Sequence, residues 1–474
     1  MKLLHVIPRF LGGGPERHLL AMAAAWRNAG LTTDHQVAVL DPPISAPLLL
    51  RARKLGIKLL PAPNLHTLRA AIEAADLVEV TYWNHPRLLD LLREDLPPAR
   101  LLIRCAISGS SRPQVLVREL GLLADALVIS SPASGPTAAV QAARQANCPV
   151  VFIPSLADMT RLEGFLHREH QGVRVGYLGL VDPTKMHPRF AELCSAVRSP
   201  EVRFEVYGDG AWGPELKRRF TALGAGERVR FHGHVEDLNT AFSELDVFGY
   251  PLAEDTYATS EKSIQEAMWA GIPPVVLATN GTAALIQTDQ TGIVCDSEAD
   301  YARAIDRLAM DAPLRRRLGA AARNFAHENF DPVRNSARLR DLFESTAALP
   351  RRRPTPWPGR NRPAAYKFVL SLGDLAGPFA ISLEGFSAST PQAVADADQT
   401  IANSSAVLAQ GEGGVIHYRN TYPESPHLRY WSGLIARHAG KHDSAGQEFQ
   451  AAVQLGLDPA QIPAPLIPRD QVNA

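Results

Sequence analysis

The chain has 474 residues, enough for two or three domains. Its 49 Lys and Arg balance 49 Asp and Glu, and 46% of residues are hydrophobic. That is a soluble globular composition, with no global electrostatic case for nucleic acid or an anionic membrane. The four scattered cysteines, Cys105, Cys148, Cys194 and Cys295, form no CxxC pair. They fit a reducing compartment and argue against a disulfide framework or a Cys-based zinc site. The opening MKLLHVIPRFLGGG is broken by His5 and Pro8 and makes a poor signal peptide. No apolar run approaches the roughly 20 residues of a membrane helix. The expectation is a cytoplasmic protein, at most peripheral on a membrane.

The chain opens with a strand, Leu3 to Ile7, a glycine turn at Gly12, Gly13 and Gly14, and a helix from Pro15 to Asn28. Pro15 suits the first helical position and Gly30 the end. Strand, glycine turn and helix begin a doubly wound α/β domain. The glycines let backbone approach a ligand, but they make neither a GxGxxG fingerprint nor a Walker loop. A tight turn needing positive φ is the plain alternative. Further apolar runs at 36–40, 77–81, 101–105, 126–130 and 150–153 alternate with helical patterns, which implies a parallel sheet covered on both faces. Ligands in such sheets bind beyond the carboxyl ends of the strands. His85, beside Trp83 and Asn84, falls at such an end and is a candidate for lining the site.

A domain boundary is expected near 160–172, dividing an N-terminal domain, 1–165, from a second α/β domain, 166–330. Its strands are read at 173–178, 203–207, 229–232, 246–250 and 292–295. Lys185 lies in the loop after the first of these, where a fixed cation could face a phosphate. Gly208 ends the second. The stretch Asp255 to Leu277, DTYATSEKSIQEAMWAGIPPVVL, organises the rest. Thr259 and Ser260 precede a helical run from Glu261 to Ala270, an N-cap signature. Free N–H groups and partial positive charge at a helix start can hold a diphosphate. Glu266 lies within reach of sugar hydroxyls beside it. An ordinary loop–helix–strand unit with a solvated glutamate is the bland alternative.

These pieces, in order, resemble the nucleotide-sugar domain of family-4 glycosyltransferases. They are the loop ending in Lys185, YGDG at Tyr207 to Gly210, HGHV at His232 to Val235, the long stretch above, and NGT at Asn280 to Thr282. The N-terminal GGGPERHLL resembles that family's glycine-rich, donor-facing loop. The resemblance covers about 345 residues and implies a GT-B fold of two Rossmann-like domains facing a cleft. It further implies retaining transfer of a sugar from a nucleotide diphosphate sugar to a hydroxyl acceptor on a glycan, lipid or protein, with no metal or other cofactor. Glu266 matches the second Glu of the family's paired acidic motif, with an implied role in binding the donor ribose. The first Glu would fall at Ala258, so Glu261 or Glu254 is the nearest acidic substitute. A basic residue usual five positions before the loop lysine is replaced by Leu180. Lys185, Glu261 and His85 are the catalytic candidates, and Gly12, Gly13, Gly14, Gly208, Thr259, Ser260 and Glu266 are the donor-binding ones. The two departures sustain a second reading, a catalytically impaired GT-B scaffold acting through its C-terminal part.

The run Asp331 to Ser345 reads as a helix returning to the first domain. A Pro/Arg-rich linker, 347–364, follows and reads as a solvated, extended spacer. The remainder, 365–474, is expected to be a small α+β module, with strands at Phe368 to Leu372 and Phe379 to Leu383. Asp396 and Asp398 form a DxD inside an Ala-rich helical pattern, a decoy rather than a metal site. Residues 426–456 carry one tetratricopeptide-like hairpin, marked by Gly433, Gly440, Ala445, Phe449 and Ala452. A single repeat must pack on its neighbours or on a partner, so this module is the expected contact for a protein or membrane.

Overall fold

In the computed structural model, residues 1–385 and 389–462 are described, apart from the side chain of Asn280 in the NGT piece. The last residues of the expected C-terminal module, 463–474, lie outside them. The chain forms two compact units, Met1–Trp357 and Pro358–Ala474.

The first unit holds two parallel sheets. Strands β1 (Lys2–Ile7), β2 (Asp34–Val39), β3 (Lys58–Pro61), β4 (Leu77–Tyr82), β5 (Leu101–Cys105), β6 (Ala126–Ile129) and β7 (Val150–Phe152) order as β3-β2-β1-β4-β5-β6-β7. Strands β8 (Val173–Leu178), β9 (Val202–Tyr207), β10 (Val229–Gly233), β11 (Val247–Gly249), β12 (Pro274–Leu277) and β13 (Ile293–Cys295) order as β10-β9-β8-β11-β12-β13. β4 and β5 are buried at every position, the signature of strands covered on both faces. β3 is missing from the apolar pattern because it is an edge strand with no fully buried residue. In both sheets the chain reverses its winding beside the first strand. The crevice at the carboxyl ends there is where open α/β sheets bind ligands.

Helix α1 (Gly14–Asn28) covers one face of the first sheet. Helix α3 (Pro332–Ala347) packs beside it, burying Leu339 and Phe343 with Met22, Trp26 and Leu102. Trp26 donates its indole N–H to the Ser336 carbonyl at 2.9 Å. In the second domain, helix α2 (Lys262–Trp269) fills the core with Ile264, Ala267 and Met268.

The expected spacer is corrected in its central part. Residues Arg351 to Trp357 are strapped onto the first domain. Arg352 pairs with Ala99 in an antiparallel bridge and with Asp125 as an ion pair. Arg351 donates to the Glu73 and Ala75 carbonyls. Trp357 is buried and stacks on Tyr82, with ring centroids 6.2 Å apart. The arginines have acceptors at strand and helix ends, and the tryptophan has a pocket; neither partner is visible in linker composition.

The expected α+β module is also corrected: its described residues form helices. The two runs read as strands are the helices Ala364–Leu372 and Gly377–Glu384. Ala365, Phe368 and Leu372 share one buried face at helical spacing, and no strand among the described residues lies beside them to complete a ladder. Phe368, Phe379, Tyr418 and Trp431 form an aromatic core. Asp398 of the DxD accepts hydrogen bonds from Ser382 and Tyr430, each at 2.6 Å, so it serves that core. Asp396 instead accepts from Gln392 one turn earlier. The hairpin Pro426–His438 and His442–Gln454 packs Gly433 on Phe449, where a Cβ would sit 2.5 Å from the ring. No helix among the described residues is long and apolar enough to cross a membrane.

The strap predicts a stability effect. Trp357→Ala should lower the unfolding free energy by about 3 kcal/mol, the usual scale for a buried tryptophan. The urea midpoint should fall at an unchanged slope; a loss below about 1 kcal/mol would mean the strap is not packed.

Candidate functional site

The loop and helix from Thr256 to Trp269 form one wall of a crevice, and the start of α1 forms the other. Lys262, the first residue of α2, reaches across. Its Nζ donates to the Gly14 carbonyl at 2.8 Å and to Ser155 Oγ at 3.0 Å. Around it the two domains exchange further hydrogen bonds. The Ser155 N–H donates to Ser260 Oγ at 2.9 Å, and Gln265 Nε2 donates to the Ser155 carbonyl at 3.1 Å. The Ser108 N–H donates to the Tyr257 carbonyl at 3.1 Å, and Ser131 Oγ to the Gly281 carbonyl at 3.3 Å.

Lys262 is half-buried, and its direct partners are neutral oxygens. Burial, then the nearby Arg104 guanidinium, lowers its pKa to about 7. Arg104 lies on β5 and is itself held by Glu79 at 2.7 Å. His18, from α1, completes the basic group. Its Nδ1 accepts the Leu156 N–H at 2.9 Å, so Nε2 bears the proton of the neutral ring. Burial and then Arg104 hold its pKa well below the usual value. Both His18 Nε2 and Arg104 Nη1 are buried without a hydrogen-bond partner. Two buried donors near the crevice thus lack partners, as does the acceptor Gln265 Oε1.

Lys185 and Glu261 meet on the second-domain side. Lys185 Nζ lies 2.8 Å from Glu261 Oε2, and Tyr250 OH donates to the same oxygen at 3.0 Å. Burial opposes both charges, but each outweighs it for the other: Lys185 is shifted up and Glu261 down. Glu261 also takes the N-cap position of α2, with no side-chain capping bond. This corrects the expected cap. Ser260 is drawn into the Ser155 and Gln265 bonds across the crevice, and Thr259 Oγ1 is buried with no partner.

Glu266 is buried on α2 one turn beyond Lys262. Burial raises its carboxyl to about 7, against the pull of Arg161, Lys262 and Arg17. Gly12 has φ of 109°, Gly13 is the N-cap of α1, and Gly14 presents its carbonyl to Lys262. Gly208 is fixed by packing: its φ is 134°, and a Cβ would lie 1.8 Å from the Gly179 carbonyl oxygen. The neighbouring motif residues knit the sheet, with Tyr207 stacked on His232 at 4.3 Å and His232 bonded to Glu205 at 2.6 Å. His85 is fully buried. It accepts the Arg87 N–H as a helix cap, and its Nε2 lies 3.4 Å from Asp41. Ala258 is buried in the second-domain core, and Glu254 is exposed.

Sequence reasoning missed Lys262, Ser155, Gln265, His18 and Arg104. Lys262 left one signal: it lies four positions before Glu266 and so shares its helix face. Arg104 sat inside a run read only as a buried strand.

Two doubly wound domains facing this crevice define a GT-B fold. Residues 172–311 match the family model described as glycosyl transferases group 1. The chain is 28% identical over 195 residues to the D-inositol 3-phosphate glycosyltransferase of Stackebrandtia nassauensis, covering 38% of this chain and 42% of that protein. It is 29% identical over 153 residues to the GDP-mannose-dependent alpha-mannosyltransferase of Mycolicibacterium smegmatis, covering 31% and 37%. The chain thus spans less than half the length of these curated relatives. Among solved structures it is similar to Anabaena HepE in complex with UDP. The TM-score is 0.60 at 18% identity, over 73% of this chain and 100% of that one. A glycosyltransferase from Rickettsia africae gives 0.57 at 14% identity, over 73% and 98%. The second α/β domain is thus similar to the glycosyltransferase group 1 domain, and the likeness to solved structures shows the GT-B fold.

Glu266 gives a pH test. Its folded pKa, about 7, lies above the ordinary 4.5. The folded state therefore holds the proton more tightly, and stability present below about pH 4.5 is lost as pH rises through 7. Glu266→Gln removes this loss. From pH 4.5 to above pH 7 the variant should gain on the wild type by about 3 kcal/mol, measured by urea unfolding; a constant difference would place the carboxyl in solvent.

Proposed function

We propose that the chain is a glycosyltransferase that moves a sugar from a nucleoside diphosphate sugar to a hydroxyl acceptor, with retention at the anomeric carbon. The carrying observation is the match over 172–311, from which Lys262 at the start of α2 reaches the Gly14 carbonyl of the first domain's glycine turn. The names of the relatives, which act on inositol 3-phosphate and use GDP-mannose, support a nucleotide-sugar donor. So does the UDP bound by Anabaena HepE.

In this reading the donor's C1–O bond to the diphosphate breaks and a C1–O bond to the acceptor forms on the same face. The acceptor proton passes to the departing phosphate oxygen. The leaving group gathers negative charge, which Lys185, Lys262 and the N–H groups at the start of α2 meet in place of a catalytic metal. Glu261 occupies Lys185 until the diphosphate displaces it. Lys262, with a pKa lowered to about 7, gains a proton as the anion enters, so binding and charging are coupled. Glu266 takes the ribose hydroxyls. Ala258 supplies no carboxylate, so Glu261 is the acidic group nearest the reacting sugar. The helical C-terminal unit, with its tetratricopeptide-like hairpin, is the partner- or membrane-contacting part.

The test is a thermal-shift screen with UDP, GDP, ADP, CDP and TDP, followed by assays with the matching sugar nucleotides. One diphosphate should raise the melting temperature in a concentration-dependent way. Lys185→Ala should cut kcat/KM by about 100-fold or more. If no nucleotide binds and Lys185→Ala changes no activity, the transferase reading fails. The protein is then a GT-B scaffold.

Lys262→Met should weaken diphosphate binding about tenfold, about 1.4 kcal/mol, by calorimetry. Unchanged affinity would remove Lys262 from the donor site.

A further inference from the structure

The segment between β7 and β8 joins the two α/β domains and carries a His-x-x-His pair, His167 and His170. Both rings turn toward Asp246, which immediately precedes β11. His170 Nε2 lies 3.4 Å from Asp246 Oδ2, and His167 Nε2 lies 3.8 Å from Oδ1. One ligand atom from each residue falls within 4.8 Å of the other two. A tetrahedral zinc-type ion with bonds of about 2.0–2.1 Å sets neighbouring ligand atoms roughly 3.3–3.5 Å apart. The observed separations need only a small closing movement to reach it.

We propose that His167, His170 and Asp246 form a binding site for a divalent transition-metal ion of the zinc type, which fastens the interdomain linker to the second α/β domain. Two imidazoles and a carboxylate are ligands of the right softness for such an ion. His170 supplies the second observation. Its side chain is 10% exposed, and its Nε2 is buried without a hydrogen-bond partner while aimed at the carboxylate. A metal bond satisfies that atom.

The surroundings preorganise the three groups. Asp246 Oδ2 accepts the Arg174 N–H at 2.9 Å, which fixes the carboxylate against the start of β8. The linker is pinned nearby, where the Arg168 N–H donates to the Ser243 carbonyl at 2.7 Å and Asn239 Nδ2 donates to the Glu163 carbonyl at 2.9 Å. Supported ligands of this kind are what a metal site requires. Neighbouring cations are engaged elsewhere. Glu244 pairs with Arg168 and Arg174. Arg315 approaches Asp246 Oδ1 only to 3.8 Å and directs Nη1 to the Leu308 and Ala309 carbonyls. His167 Nε2 lies 3.1 Å from the Leu245 carbonyl oxygen and exchanges that contact for the ion. Three protein ligands leave a fourth position for water. The position, in the linker and apart from Lys185 and Lys262, gives the ion a structural role.

The test uses the full chain without an affinity tag, treated with EDTA and dialysed. Zinc titrated by calorimetry should bind at one ion per chain, and cobalt(II) should give the intense visible bands of a four-coordinate site. His170→Gln and Asp246→Asn should each weaken binding at least 30-fold, with unchanged elution and circular dichroism. His85→Gln should bind as the wild type does. Should either variant misfold, His167→Gln, at a more exposed position, gives the same readout. The absence of saturable zinc binding, or equal affinity in the wild type and the ligand variants, overturns the proposal.

Discussion

A half-buried lysine reaching from one domain to the backbone of another is the constraint on which the site depends. Lys262 has Gly14 and Ser155 as its direct partners, both neutral, and Arg104 as a near cation. Partial burial of an ammonium against neutral partners is costly, and the nearby Glu266 and Glu261 carboxylates offset part of that cost. The fold tolerates it because helix α2, the Ser155 turn and the start of α1 are all locked by their own sheets. The domains meet through this contact and through hydrogen bonds at Ser155, Ser108 and Gly281.

Lys185 and Glu261 are the counterpart on the second domain. Their charges hold each other against burial, with Tyr250 as a third anchor. The acidic residue beside the loop lysine is thus not the Glu expected eight positions before Glu266. Ala258, at that position, packs its methyl into the second-domain core. Glu261 takes the helix N-cap position, and Ser260 Oγ accepts the Ser155 N–H.

The chain beyond residue 347 shows how composition misleads. A Pro- and Arg-rich run has few apolar residues and reads as solvated, yet Arg351 and Arg352 find backbone carbonyls and Asp125, and Trp357 finds Tyr82. Short apolar runs further on read as strands because Phe, Val and Ile favour sheets. Without a neighbouring strand, helical hydrogen bonds within each run are the available way to satisfy the backbone.

The sequence by itself determined the two doubly wound domains, because alternating apolar runs and helical patterns are local and repeat along the chain. It also marked Lys185, Glu261 and Glu266 as the charged residues proposed for the donor side, because a helix start with its loop is a contiguous motif. Tertiary structure alone decided that Lys262, Ser155, His18 and Arg104 belong with them. These residues come from α2, the linker, α1 and β5, and spacing in sequence carries no information about atoms brought together across a crevice. It also decided that His85 is a buried cap beside Asp41, that Gly208 answers to a backbone contact with Gly179, and that the C-terminal unit is helical. Burial, packing distance and the partner of each polar atom are properties of the folded chain, and those quantities separate a charged residue in solvent from one held ready for a ligand.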